Sequence, residues 1–128
     1  MRNNWIAIGA FSGALCVVLG ALGAHLLRKH IDPDDLPLWD TAVQWQAMHA
    51  AALVLYGLFE VAERREGRPS GATAGWLFLL GTLCFCGPLY AHPLGAPGWV
   101  VHVTPVGGLL LILGWIVFGA RALRSQDR

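Results

Sequence analysis

Charge is what this sequence has little of. Only 13% of its 128 residues are Asp, Glu, Lys or Arg, whereas an ordinary soluble domain carries about 25%. The net charge of +1 provides no basic face for nucleic acid. Cys16, Cys84 and Cys86 lie in apolar runs without paired spacing, which excludes a disulfide framework. Neither a glycine-rich phosphate loop nor a nucleophile-base pair occurs, so the sequence favours a protein that is not an enzyme.

Apolar residues make up 55% of the chain, and its mean hydropathy is +0.53. A soluble core of this size cannot bury so much apolar surface, so a bilayer must act as solvent. Charges divide the chain into four apolar stretches, at about 5–27, 41–62, 72–91 and 105–123. Each is near the roughly 20 residues that cross a hydrocarbon core. We therefore predict an all-α integral membrane protein: one domain over 1–128, an up-down-up-down four-helix bundle with short loops.

The distribution of Lys and Arg predicts the orientation of this bundle. The N-terminus, the second loop and the C-terminal tail hold seven of them: Arg2, Arg64, Arg65, Arg68, Arg121, Arg124 and Arg128. The first loop holds only Arg28 and Lys29, and the third loop holds none. Because basic residues stay in the cytoplasm, both termini are predicted to be cytoplasmic.

Polar side chains inside the apolar stretches are the candidate functional residues. Gln46 and His49 lie three residues apart in the second stretch, so they share a helix face. We expect both to face the bundle interior, because an unpaired polar group is costly in hydrocarbon. The predicted topology places the other candidates in the same outer half: His25, Tyr90, His102 and Thr104.

Two interpretations of these six residues stay open. They form a ligand site for a metal, a haem or a quinone headgroup, since neutral imidazole binds transition metals and relays protons. Alternatively, Gln46 and His49 form hydrogen bonds between helices, each worth about 0.6 kcal/mol on average. The sequence does not identify a metal or a cofactor. Thr104 has a further predicted role, as the N-cap of the fourth helix before Pro105.

Small residues predict where the helices approach closely. They form a stripe on the first helix and a group on the fourth: Gly9, Gly13, Gly20 and Ala24, then Gly107, Gly108 and Gly114. We expect these to be contacts within one chain, and a homo-oligomer interface is the alternative. The stripe predicts that Gly20→Leu separates the first helix from its neighbour.

Four motifs in order give the chain a family resemblance. "GALGAH" (20–25), "TAVQWQAMHA" (41–50), "LCFCGPLY" (83–90) and "TPVGGLLLILGW" (104–115) resemble the domain-of-unknown-function 423 family. These are small four-span inner-membrane proteins with a eukaryotic transmembrane relative. The resemblance runs from about Ile8 to Arg121, with Leu22, Trp45 and Pro88 departing from the family pattern.

The resemblance implies the four-helix fold and a location in the bacterial inner membrane, but no established activity. Our main expectation is a non-enzymatic protein that acts through partners, or as an assembly or accessory factor. Those partners are the bilayer, other membrane proteins or a second copy. The alternative is a ligand-binding or redox-accessory protein that uses the His and Gln residues. A channel or transporter is disfavoured, because four short spans cannot line a wide pore.

Overall fold

The computed structural model describes residues 4–127 and contains four α-helices: α1 (Trp5–His25), α2 (Leu36–Arg65), α3 (Thr73–Ala91) and α4 (Thr104–Gln126). Short 3-10 turns lie in the first and third connections, at Leu27–Lys29, His92–Leu94 and Gly98–Val103. Within the described residues no strand occurs, so the all-α prediction is confirmed. Each helix packs mainly on the next in sequence, which gives a bundle of alternating direction.

The helix bounds differ from the predicted ones chiefly in α2. This helix begins at Leu36 rather than near Thr41, and it ends at Arg65 rather than Ala62. Pro37 lies in its first turn, where a missing amide hydrogen costs nothing because that amide would be unpaired anyway. With 30 residues, α2 is about 45 Å long at 1.5 Å per residue, so it extends beyond a hydrocarbon core of about 30 Å.

Three segments of the described chain are long and apolar enough to cross a membrane: Trp5–Lys29, Thr73–Leu94 and Gly98–Gln126. The remaining helix, α2, is more polar. It buries eleven of its 30 residues and α3 buries seven of 19, which are larger fractions than four of 21 in α1 and three of 23 in α4. The other helices therefore shield α2, so its polar side chains need not face lipid.

The close contact between α1 and α2 is at Gly9. A Cβ atom there would lie 2.7 Å from the carbonyl oxygen of Ala50, so the two backbones touch. Gly13 and Gly20 have more room, since added Cβ atoms would lie 4.0 Å from Ala50 Cβ and 3.4 Å from Val43 Cγ1. These are ordinary van der Waals distances, so the predicted disruption by Gly20→Leu is not supported by a tight contact at that position.

Toward the C-terminus of α1, the same contact ends at Gly23 rather than Ala24. Ala24 is exposed, whereas a Cβ atom on Gly23 would lie 2.6 Å from the Trp39 ring. The Trp39 indole also donates a hydrogen bond of 2.9 Å to the Leu19 carbonyl. Gly9, Cys16 and Gly23 are all buried, at a spacing of seven residues. Of the predicted stripe, Gly9 makes a close contact with α2, and the other close contact of α1 is at Gly23 rather than Ala24.

The glycines of α4 provide the second close contact. A Cβ atom on Gly107 would overlap the backbone of Cys84 and Phe85 in α3, and one on Gly114 would lie 2.9 Å from the Phe78 ring. Gly108 has more space, 3.7 Å from the Phe85 ring. The glycine pair of the "TPVGG" motif thus brings α4 against the backbone of α3.

Candidate functional site

Gln46 of α2 is bonded to two neighbouring helices, α1 and α3. Its side chain is 5% exposed, and its Nε2 donates a hydrogen bond of 3.0 Å to the carbonyl oxygen of Ser12 in α1. Its Oε1 accepts a 2.7 Å hydrogen bond from the Tyr90 hydroxyl in α3. Both polar atoms of the Gln46 side chain are therefore paired, and their hydrogen bonds hold α1 and α3 against α2.

His49 is bonded through both ring nitrogens. Nδ1 lies 2.8 Å from the Trp45 carbonyl oxygen, and Nε2 lies 3.2 Å from the indole nitrogen of Trp115 in α4. Because an indole N–H can only donate, Nε2 is assigned as the acceptor and Nδ1 carries the proton. The ring is 1% exposed and lies near the ring of Phe78 as well. The imidazole is therefore neutral and fully paired.

The expectation that Gln46 and His49 face the interior is confirmed, but the six candidate residues do not form one cluster. Gln46 and Tyr90 are bonded to each other. The side chains of His25 and His102 are exposed near helix ends. Among residues 4–127, no three His, Cys, Asp or Glu side chains are close enough together to hold a metal ion.

Thr104 is the first residue of α4, not its N-cap. The prediction was wrong because the 3-10 turn Gly98–Val103 leads directly into the helix, so the start of α4 has no free end that a side chain would cap. The Thr104 hydroxyl is buried, and in the described part of the chain it has no hydrogen-bond partner.

A second polar cluster lies at the opposite end of the bundle, around Glu60. This carboxylate is 0% exposed. Its Oε2 accepts a 2.7 Å hydrogen bond from the Gly71 amide, and its Oε1 forms an ion pair of 2.8 Å with Arg121 Nη1. The Tyr56 hydroxyl donates to the Gly71 carbonyl at 3.1 Å, and Arg121 Nη2 donates to the Pro69 carbonyl at 3.0 Å. Together these bonds attach the loop between α2 and α3 to α4.

Glu63, Arg68 and Ser125 extend this cluster toward the end of the bundle. Glu63 Oε1 accepts hydrogen bonds of 2.8 Å from Arg68 Nη1 and 2.6 Å from the Ser125 hydroxyl. The Ser125 hydroxyl and the Arg68 guanidinium lower the pKa of the Glu63 carboxyl from its usual 4.5, a group that lies beyond the predicted span. The Glu63 carboxylate is therefore ionised at neutral pH. A cavity of about 260 Å³ adjoins these side chains and Arg124.

This cluster was not predicted from the sequence, because the positions of the arginines were used only to predict orientation. Glu60 lies inside the predicted second span, and an ionisable residue within a span is normally paired or functional. That position was a usable signal. Its partner was not evident from spacing, because Arg121 is 61 residues away in the sequence.

An apolar groove of about 320 Å³ lies between α1 and α3, on the surface of α2. Phe11, Leu15 and Leu83 contribute to its walls, and Gln46 and Tyr90 lie at its polar side. The hydrogen bond between these two residues is therefore adjacent to the lipid-facing surface.

Comparison with known proteins agrees with a membrane setting. The family model described as "Protein of unknown function (DUF423)" matches residues 19–108. The chain is 33% identical to a UPF0382 membrane protein of Haemophilus influenzae over 99% of both chains. It is 35% identical to the UPF0382 membrane protein YwdK of Bacillus subtilis, over 94% of this chain and 96% of that one.

A third relative is the UPF0382 inner membrane protein YgdD of Escherichia coli, with 33% identity over 100% of this chain and 96% of the relative. No solved structure matches this chain. The family match covers well over half of the described helices, and the relatives match along nearly their full length. The chain therefore belongs to the DUF423 family and is a membrane protein.

Proposed function

We propose that this chain is a non-enzymatic protein of the inner membrane that acts through partner membrane proteins, as an accessory or assembly factor. One observation carries the proposal: the polar atoms of Gln46 and His49 are used within the chain. Gln46 bonds to Ser12 of α1 and Tyr90 of α3. His49 bonds to Trp115 of α4 through Nε2 and to the Trp45 carbonyl of its own helix through Nδ1. The chain's interactions with other molecules then take place on its surface.

The exposed side of α1 is the surface best suited to a partner helix. This helix buries only Trp5, Gly9, Cys16 and Gly23. Its exposed residues include Ala14, Ala21 and Ala24, which lie at helical spacing on one side. Small side chains let another helix approach closely, and close packing is what associates helices in lipid.

Photo-crosslinking in the native membrane tests this proposal. A photoreactive amino acid placed at Ala14 should form an adduct with one protein, and Ala21→Phe should abolish that adduct by blocking close approach. The matched control is the same amino acid at Ile116 of α4, which is 60% exposed and should react only with lipid. An adduct of twice the chain's mass would identify a second copy as the partner. Lipid adducts alone at Ala14 would contradict the proposal.

We also propose that both termini are cytoplasmic. The seven-to-two bias of Lys and Arg supports this orientation. Arg68 and Arg121 both take part in the cluster at one end of the bundle, in agreement with a single basic end. A reporter enzyme that works only in the cytoplasm should be active when it is fused after the C-terminus. Activity of a periplasm-dependent reporter at that position would overturn the orientation.

A second candidate function is the binding of a membrane-soluble ligand such as a quinone. The groove between α1 and α3 favours it, because the groove gives lipid-phase molecules access to the Gln46–Tyr90 bond. A ligand carbonyl there would compete with Gln46 for the Tyr90 hydroxyl. Absorption spectra of an organic extract of the purified protein test this candidate. A quinone spectrum that Leu83→Trp removes would support it, and an extract free of quinone would reject it.

A further inference from the structure

A concave surface lies where the start of α1 meets the end of α2, separate from the groove described above. Its volume is about 530 Å³. Ile6, Ala7 and Ala10 of α1 line it together with Val61 of α2, and Arg64 and Arg65 lie at its end. The site therefore combines apolar walls with two guanidinium groups.

The two guanidinium groups are not neutralised by the neighbouring acids. Glu60 is paired with Arg121, and Glu63 and Glu66 are both paired with Arg68. Arg64 Nε donates a 3.3 Å hydrogen bond to a backbone carbonyl, that of Glu60. Within residues 4–127 no carboxylate forms an ion pair with Arg64 or Arg65. Two positive charges are thus available next to an apolar concavity.

The adjacent end of α1 adds to the positive potential. Asn4, which also lines the concavity, precedes the first turn of α1 and makes no side-chain capping bond. The first amide groups of a helix carry partial positive charge and favour anions. This contribution is supplementary, because the arginines provide the full charges.

We propose that this surface binds an anionic phospholipid. Its phosphate contacts Arg64 and Arg65, and one acyl chain lies along Ile6, Ala7 and Ala10. Guanidinium groups match phosphate oxygens in geometry and charge, and basic pockets between membrane helices are suited to lipid headgroups. The apolar walls distinguish this ligand from a free phosphate, which has nothing to place against them.

Native mass spectrometry of the delipidated full chain in detergent tests the proposal. Equal amounts of phosphatidylglycerol and phosphatidylcholine with identical acyl chains are added, and bound lipid is counted. We expect the unchanged protein to prefer phosphatidylglycerol. In R64Q/R65Q, the loss of each arginine should weaken that preference about fivefold, because one basic residue contributes about that factor near an anionic surface. The matched control is R28Q/K29Q at the other end of the bundle, which should leave the preference unchanged.

Two further arms separate a lipid site from simple charge attraction. Ala10→Phe fills the concavity and leaves both arginines in place, so it should reduce phosphatidylglycerol binding. Glycerol phosphate, which has no acyl chain, should not displace the lipid. Equal binding of both lipids, an equal loss in the control or unchanged binding to Ala10→Phe would overturn the proposal. Should R64Q/R65Q fail to fold, Arg65→Gln alters a single exposed side chain and makes the same test.

Discussion

Replacing Arg121 by Met should destabilise the bundle strongly, because it removes the ionic partner of a fully buried carboxylate. Glu60 is 0% exposed, and its Oε1 lies 2.8 Å from Arg121 Nη1. Breaking a buried ion pair from one side costs about 3–5 kcal/mol. The Arg121 side chain is itself 20% exposed, so we expect a value near the lower limit, about 3 kcal/mol.

Removing both charges together should cost less than removing Arg121 alone. In Glu60→Gln/Arg121→Met the glutamine is neutral, and its carbonyl oxygen still accepts the bond from the Gly71 amide. The expected loss is then about 1–2 kcal/mol, near the scale of one or two hydrogen bonds. The losses of unfolding free energy in the two single variants should therefore not sum to the loss in the double variant, as is usual for residues in direct contact.

Reversible unfolding in mixed detergent and SDS micelles, followed by circular dichroism, measures these free energies. Arg124→Met is the matched control, since Arg124 is exposed on the same helix, and its loss should change stability by less than about 0.5 kcal/mol. An equal effect of Arg121→Met and Arg124→Met would show that the Glu60–Arg121 ion pair is not what stabilises this end of the bundle. So would a double variant that loses the full sum of its two single changes.

Three further predictions concern packing, hydrogen bonding and pH. Tyr90→Phe removes the 2.7 Å bond to Gln46 and should lower stability by about 0.6 kcal/mol in the same assay, and no change would show that the bond is not stabilising. Gly9→Ala should lower the free energy of unfolding by about 1–3 kcal/mol through overpacking. Gly13→Ala is the control and should leave it unchanged, because an added Cβ there lies 4.0 Å from its nearest neighbour. Equal losses in the two variants would exclude Gly9 as the close contact. Because the folded pKa of Glu63 is lowered from 4.5, its stabilising effect is present above that pH and disappears as the pH falls through the folded value. Melting curves of Glu63→Gln and the unchanged chain should therefore differ at pH 7 and converge in acid, and a constant difference would contradict this assignment.

The sequence was sufficient for the helices and for the face that Gln46 and His49 share, because helical periodicity depends only on spacing. It could not supply their partners. Ser12 and Tyr90 bond to Gln46 across helices, and Trp115 bonds to His49 from 66 residues away. Which side chains pair depends on how far each helix is displaced along the bundle axis relative to its neighbour. The packing of side chains such as Trp39 against Gly23 sets that displacement.

The histidines show why a shared side of the membrane does not make a site. His25 and His102 were grouped with His49 because the topology places all three in one half of the bundle. In the structure the first two lie exposed at helix ends, while His49 is buried among aromatic rings. Conversely, Glu60 and Arg121 meet although nothing in their local sequence links them.

The polar interior is proposed to stabilise helix packing and not to hold a metal or haem. Elemental analysis and an absorption spectrum of the protein, purified from its native membrane without chelators, test this proposal. We predict no metal in stoichiometric amount and no Soret band, together with an unchanged spectrum in His49→Gln. A stoichiometric metal or a Soret band that His49→Gln abolishes would show that His49 is a ligand and not a purely structural residue.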